Sequence, residues 1–408
     1  MNSFSKTNKA RAALGFIFIT LLIDVTGLGI IIPVLPKLIG ELIHGDISEA
    51  AAYGGWLTFA YAIVQFVCAP ILGNLSDRYG RRPVLLLSLL GFGLDYFFMA
   101  FAPSIAWLFA GRILSGFTGA SFTTAAAYIA DVSTAEKRTQ NFGLIGAAFG
   151  LGFILGPALG GVLGQFGTKA PFLAAGALSI MNVIYGYFVL PESLPVADRR
   201  AFEWKRANPI GALTQIKKYP TVYGLVVTLV LLYIVSNGVQ TTWSFYGIAK
   251  FHWDETWVGY SLAFSGLLVG IVQLGLIRIV IPRIGTVKSL YVGLLFYSVG
   301  LLLFAFATNG WMMFAILIPY SLGNIAGPAL QSIITGQVSA GEQGELQGGL
   351  TSLMSVTTII APPFMANLFA YFTGHHAPVI FPGAPFLLSA VLVMISIWFA
   401  ARSLRISK

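Results

Sequence analysis

Three charged side chains sit inside long apolar runs, and chemistry in this chain has to begin with them. Asp24 lies in "GFIFITLLIDVTGLGIII", Asp95 in "VLLLSLLGFGLDYFFMAF" and Arg112 in "WLFAGRILSGFTGA". At the centre of a membrane helix each charge costs about 2.5–3.5 kcal/mol, so each must be paired, wetted or neutralised. Counted from the ends of the apolar runs at ~1.5 Å per residue, all three fall in one layer roughly 10–14 Å below one surface. With both acids ionised that layer carries one net negative charge, which a single proton neutralises. The arrangement suits a proton-coupled carrier; a static ion pair that tethers helices is the alternative.

The runs around these residues belong to a pattern that covers the whole chain. Of its 408 residues, 57% are hydrophobic and only 10% charged, too few to cover a soluble surface of that size. Apolar stretches of about twenty residues recur throughout, which implies an all-α, multi-pass membrane protein. Each stretch must be a helix, because the bilayer offers no other partner to backbone polar groups. Twelve spans are expected, at 12–33, 53–75, 83–102, 104–128, 142–165, 169–190, 220–247, 256–280, 286–306, 310–335, 347–372 and 379–402. The first follows Lys6, Lys9 and Arg11 as a signal peptide would. Its length, its Asp24 and the lack of a small-residue cleavage pattern make it a membrane helix instead.

Lys and Arg set the orientation. Of the 24, 20 fall at the two termini, the turn 74–83, the loop 131–141, the segment 191–219 and the connection 278–288. Only Lys37, Lys169 and Lys250 occupy the opposite loops. Both termini and the central segment are therefore expected in the cytoplasm. The net charge of +9 is a topology signal, and no nucleic-acid partner is implied. The polar segment 191–219 divides the chain into a six-helix half at 1–190, a cytoplasmic central loop and a second six-helix half at 220–408. That layout places a substrate between the halves at mid-membrane. Cys68 is alone, and His44, His252, His375 and His376 lie in loops without metal-ligand company, so neither a disulfide nor a metal site is expected.

Two short patterns carry more than anchoring. In "GNLSDRYGRRP", Arg78, Arg81 and Arg82 fit a positive inner turn, but Asp77, Gly73 and Gly80 do not follow from that role. The glycines permit a tight turn and close helix approach. An acid among arginines makes contacts that form in one conformation and break in another. In the fifth span, Gly152, Gly156, Gly160 and Gly164 recur every four residues on one helical face, with Pro157 and Gly161 beside them. Such small-residue faces pack helices closely.

The turn G-x-L-S-D-R-x-G-R-R resembles the signature loop of the major facilitator superfamily. "LLIDVTGLGIIIPVLP", "GRILSGFTGA", "FGLGFILGPALGG" and "EQGELQGGL" resemble the tetracycline/proton antiporter family within it. The resemblance implies two pseudo-symmetric six-helix halves. It implies a cytoplasmic latch of Gly73, Asp77, Arg78, Gly80, Arg81 and Arg82, with Asp77 facing the start of span eleven and Asp131 as a second acid on the arginines. It makes Gly152, Gly156, Pro157, Gly160 and Gly161 an antiporter motif, and gives Asp24, Asp95 and Arg112 the proton coupling. On this reading Asp24 pairs with Arg112, and Asp95 takes up the proton when substrate leaves. The chain departs from those exporters at Tyr297 and Val269, where they carry an acid in span nine and a histidine in span eight.

Neutral candidates for the cargo are Tyr61, Gln65, Asn237, Gln240, Trp243, Gln273, Tyr297, Asn324 and Gln331, each with packing as its alternative role. Glycine-rich "GEQGELQGG" lacks the Lys-Ser/Thr of a phosphate loop, so an ion gradient must supply the energy. The expectation is a monomeric, proton-coupled exporter of amphipathic drugs, tetracycline-like or multidrug, in the bacterial inner membrane. It is no enzyme and uses no cofactor; its partners are the cargo, protons and the bilayer. A sugar, metabolite or siderophore exporter of the same fold, or an uncoupled facilitator, is the alternative.

Overall fold

The computed structural model describes residues 3–119, 121–134, 137–203, 223–338 and 342–406. Most of the expected central loop, from 204 onward, lies outside the described residues, as does the start of the glycine-rich segment at 341. Among the described residues the regular structure is helical, with no strand. Twelve helices are long and apolar enough to cross a membrane. They are Ala13–Ile31, Ile47–Tyr79, Arg81–Ala100, Ile105–Val132, Gln140–Gly164 and Lys169–Val189, then Tyr223–Phe251, Glu255–Ile284, Thr286–Phe306, Gly310–Thr335, Leu346–Thr373 and Ala384–Arg405, spans one to twelve in order. The chain is a multi-pass membrane protein; within each unit, the end at which the odd spans begin is called the inner face, after the orientation expected from the sequence.

Local chemistry fixes several span starts. Three even spans open on an Asx cap, which satisfies first-turn N–H groups that have no helical partner. Asp254 accepts from the Trp257 N–H at 2.9 Å and Asn309 from that of Met312 at 3.0 Å. Asp46 accepts from the backbone of Ser48 and Glu49, each at 2.9 Å, and from the Ser48 hydroxyl. The hydroxyl bond foremost, with His375 at 3.3 Å adding its share, holds the Asp46 carboxyl below its ordinary value. Span four is broken at Gly119, between helices Ile105–Thr118 and Ser121–Val132. Span eight carries a π-turn at Val272–Leu276, which places one extra residue in the helix.

By compactness the chain forms two units. One comprises Met1–Leu38 and Ala60–Asn208, the other Ile39–Phe59 and Pro209–Lys408. Span two belongs to both, its first third packing within the second unit. There a Cβ on Gly55 would lie 2.6 Å from the Ala366 Cβ and 2.9 Å from the Pro362 carbonyl. The second unit is further held by an aromatic core of Trp243, Tyr246, Phe304 and Phe386, with ring centroids 4.6–6.2 Å apart.

The first unit is closed by a seam between spans one and five. A Cβ on Gly156 would stand 2.7 Å from both the Gly29 Cα and the Thr26 carbonyl, and one on Gly152 2.6 Å from Val25. A Cβ on Gly29 would in turn meet the Pro157 Cδ at 2.8 Å. The two backbones are in direct contact, so only hydrogen fits; Gly160 repeats the geometry against Ile30, and Gly161 and Gly164 are buried on the same helix. Span six is tied in by polar bonds, from Ser179 Oγ to the Leu89 carbonyl at 2.9 Å and from Asn182 Nδ2 to the Thr20 carbonyl at 2.8 Å.

Gly156→Leu forces spans one and five apart. Overpacking of this kind costs roughly 1–3 kcal/mol or more. Its thermal midpoint in detergent is expected well below that of the parent, while Leu159→Ala, at a position 45% exposed on the same helix, leaves it unchanged. Equal midpoints for Gly156→Leu and the parent contradict the seam.

Candidate functional site

The charged turn joins spans two and three on the inner face of the first unit. Gly80 has φ 108°, a left-handed conformation that favours glycine, and this lets span three start directly after span two. Gly73 has no such role, since a Cβ there would meet nothing within 4 Å. Arg81 lies at the centre of the turn. Its guanidinium is 2.5 Å from Asp77, 3.1 Å from Asp131 at the end of span four, and 2.7 Å from the Ser76 hydroxyl. The contact between Arg81 and Asp131 is the one expected from the sequence. Arg78 is exposed beside the Tyr79 ring, and Arg82 donates to the Tyr187 carbonyl of span six.

A residue that sequence reasoning passed over completes this turn. Glu192, just after span six, accepts from the backbone N–H of Arg81 at 2.9 Å and of Arg82 at 3.3 Å. It thereby caps span three, whose own cap residue is a glycine, and its charge favours the positive end of that helix. The segment that follows folds back over the turn. Ser193 donates to Asp131 at 3.0 Å, the Arg200 N–H to the Asp77 carbonyl at 3.1 Å, and Asn74 to the Glu203 carbonyl at 2.7 Å. A cavity of about 620 Å³ remains between Asp77, Arg81 and Asp131 on one side and Ser193, Asp198 and Arg200 on the other. The only sequence signal for this strap was the acid in "PESLP", the first polar group after an apolar run.

The buried charges pair differently from the expectation. Arg112 makes its ion pair with Asp95, not with Asp24. Spans three and four form a hairpin with a short connection at 101–104, which brings the two side chains together a few turns from it. Arg112 also lies 2.8 Å from the Met99 sulfur and 5.9 Å from the centre of the Tyr61 ring. Asp24 is 3% exposed and accepts a hydrogen bond of 2.8 Å from the Ser121 hydroxyl. Ser121 opens the second half of span four, nine residues past Arg112, or ~13 Å along a helix. Asp24 therefore does not share a layer with Arg112. The layer was counted from span ends as if all helices stopped at one plane. Span one ends at a turn followed by the short helix Leu35–Ile43, and span two is 33 residues long.

The neutral candidates are divided between the two units. Tyr61 and Gln65 do join the Arg112 cluster, where Gln65 donates to the Tyr61 hydroxyl at 2.8 Å and to the Gly119 carbonyl at 2.9 Å, at the break in span four. In the second unit Asn237 bonds Thr357 at 3.3 Å, Gln331 bonds Gln347 at 2.9 Å and Asn324 bonds the Ser321 carbonyl at 3.1 Å. Gln240 and Gln273 are exposed, the latter within the π-turn of span eight. Trp243 is a correction: it is 3% exposed, packed between Phe304 and Phe386, with its N–H on Ser261 at 2.9 Å. Its large apolar ring, which suggested a cargo contact, is needed in the core. Tyr297 stacks on Tyr320 at 5.1 Å over Gly323 and fills a packing position. Among the described residues no group of three or more His, Cys, Asp and Glu could hold a metal ion.

Comparison with known proteins agrees with the twelve-helix plan. A family model described as Major Facilitator Superfamily matches residues 17–327. The class C tetracycline resistance protein of Escherichia coli is 40% identical over 362 residues, covering 89% of this chain and 91% of that protein. The class E protein of Escherichia coli is 40% identical over 353 residues, 86% of each. A crystal structure of the nucleoside transporter NupG superposes with a TM-score of 0.74 at 14% identity, covering 97% of this chain and 99% of that one, a likeness of fold alone. With its signature turn, its twelve helices and these relatives, the chain belongs to the Major Facilitator Superfamily, in the family of the tetracycline resistance proteins.

Proposed function

We propose that the chain is a proton-driven exporter of amphipathic, tetracycline-like or multidrug compounds, working by alternating access in the bacterial inner membrane with both termini cytoplasmic. The relatives named for tetracycline resistance support the cargo class. The observation that carries the coupling is the partition of the buried charges. Arg112 is matched by Asp95, and Asp24 is left on a neutral hydroxyl. The buried groups then sum to one negative charge, and Asp24 is the group that a proton neutralises without breaking an ion pair. Asp24 thus takes the proton-carrying role expected of Asp95. The ion pair of Asp95 and Arg112, with Tyr61 and Gln65 against it, fixes the hairpin of spans three and four. The turn of Asp77, Arg81 and Asp131 acts as the inner latch, with Glu192 holding it in shape.

Inverted vesicles test both parts. Asp24→Asn keeps its bond to Ser121 and folds, exchanges labelled substrate without a gradient, and fails to concentrate tetracycline when a proton gradient is imposed. Asp95→Asn leaves the partly buried Arg112 without its anion, so the yield of folded protein falls. If Asp24→Asn concentrates drug as the parent does, Asp24 is not the coupling acid. Assays with and without Mg²⁺ over a panel of compounds define the cargo.

For the latch, Asp77→Asn retains the Arg81 contact with Asp131 and so inserts and folds. Efflux measured at equal expression is expected to fall severely, and near-normal efflux contradicts the latch.

A further inference from the structure

A carboxyl that gains and loses a proton must be solvated when charged, and one hydroxyl is not enough for a group 3% exposed. The first unit holds further polar atoms in the right place. Thr20 stands one turn before Asp24 on span one, and Thr124 one turn after Ser121 on span four. The bond between Asp24 and Ser121 faces these two turns toward each other. Asn182 reaches the same level from span six, through its bond to the Thr20 carbonyl.

Thr20, Thr124 and Asn182 are each at most 1% exposed, and each leaves a polar atom without a partner: Thr20 Oγ1, Thr124 Oγ1 and Asn182 Oδ1. Leaving a buried polar group unsatisfied costs about 1–3 kcal/mol. Three such groups, brought together by the Asp24–Ser121 and Asn182–Thr20 bonds, are the setting in which proteins hold internal water. An apolar cluster that includes Ile17, Leu21, Leu85, Leu89, Tyr128 and Leu190 packs around and below this level.

We propose that Thr20, Thr124 and Asn182 form a closed water-binding pocket beneath Asp24, which solvates its carboxylate inside the first unit and so permits proton loss. This rests on the reading of Asp24 as the coupling acid. The other titratable groups that approach are few. Span two brings Tyr61, which feels the charges of Asp24, Asp95 and Arg112, and span three brings Asp95, held by Arg112, and Tyr96, whose hydroxyl lies 3.7 Å from a Cβ built on Gly27. Span five brings the glycine face and Ala148, and span six brings Asn182.

The double variant Thr20→Val/Thr124→Val keeps the volume and removes both hydroxyls. Removing unsatisfied polar atoms is neutral or favourable for folding, so its thermal midpoint should equal or exceed the parent's. In inverted vesicles its substrate exchange without a gradient should persist, while gradient-driven uptake falls about tenfold or more, the worth of hydrogen bonds lost to a charged group. The pH of half-maximal driven uptake should move upward, because the charged carboxylate has lost hydrogen bonds. Thr20→Ser/Thr124→Ser retains the hydroxyls and should restore driven uptake. Parental driven uptake and pH profile in the valine pair, alongside a dead Asp24→Asn, overturns the pocket and leaves Asp24 standing. Parental driven uptake in Asp24→Asn itself removes the reading on which the pocket rests. A valine pair whose loss the serine pair does not repair reduces both threonines to packing and also overturns the pocket.

Discussion

An ionised carboxylate in an apolar helical unit has few stable arrangements. It takes a cation, it takes a proton, or it gathers enough hydrogen bonds to stand alone. This chain has two such acids in its first unit and one partly buried arginine, Arg112, beside them. The hairpin of spans three and four commits the arginine to Asp95, and from that commitment the rest follows. Asp24 is left with the Ser121 hydroxyl, and on the proposed reading its charge state becomes the variable of the unit. Coupling to protons is then a property of how one cation was allotted.

The packing around these groups serves the same end. Span one must present Asp24 to span four at a fixed height while remaining rigid along its other side. The glycine face of span five lets the two backbones touch, so span one is held by close contact along several turns. On the inner face, Glu192 supplies the cap that Gly80 cannot give to span three, and the strap to Glu203 covers the charged turn. Arg81 is thereby held between two acids that come from different spans, a geometry that a change of conformation can break cleanly.

Much of this was legible in the sequence, and the limits have physical causes. The span count, the glycine seam and the contact of Arg81 with Asp131 follow from periodicities and motifs that depend on local chemistry. The partner of Arg112 did not follow. Depth counted along a sequence assumes straight helices ending in common planes, whereas span four breaks at Gly119 and span two overruns its neighbours. Trp243 illustrates a second limit: an aromatic ring with an N–H suits a cargo site and a satisfied core equally well, and only its bond to Ser261 decides. Glu192 shows a third, because an acid just outside a span reads as an ordinary surface charge until the helix that it caps is located. Thr20, Thr124 and Asn182 left no sequence signal, since short polar residues are common on helix faces that bond their own backbone.

The central claim is that Asp24 carries the exchanged proton. Its most direct measurement is proton release on addition of tetracycline to the purified chain in weakly buffered detergent, followed by a pH-sensitive dye. The account expects release from the parent chain and none from Asp24→Asn that still binds the drug. Release from drug-bound Asp24→Asn at the parental level would contradict it.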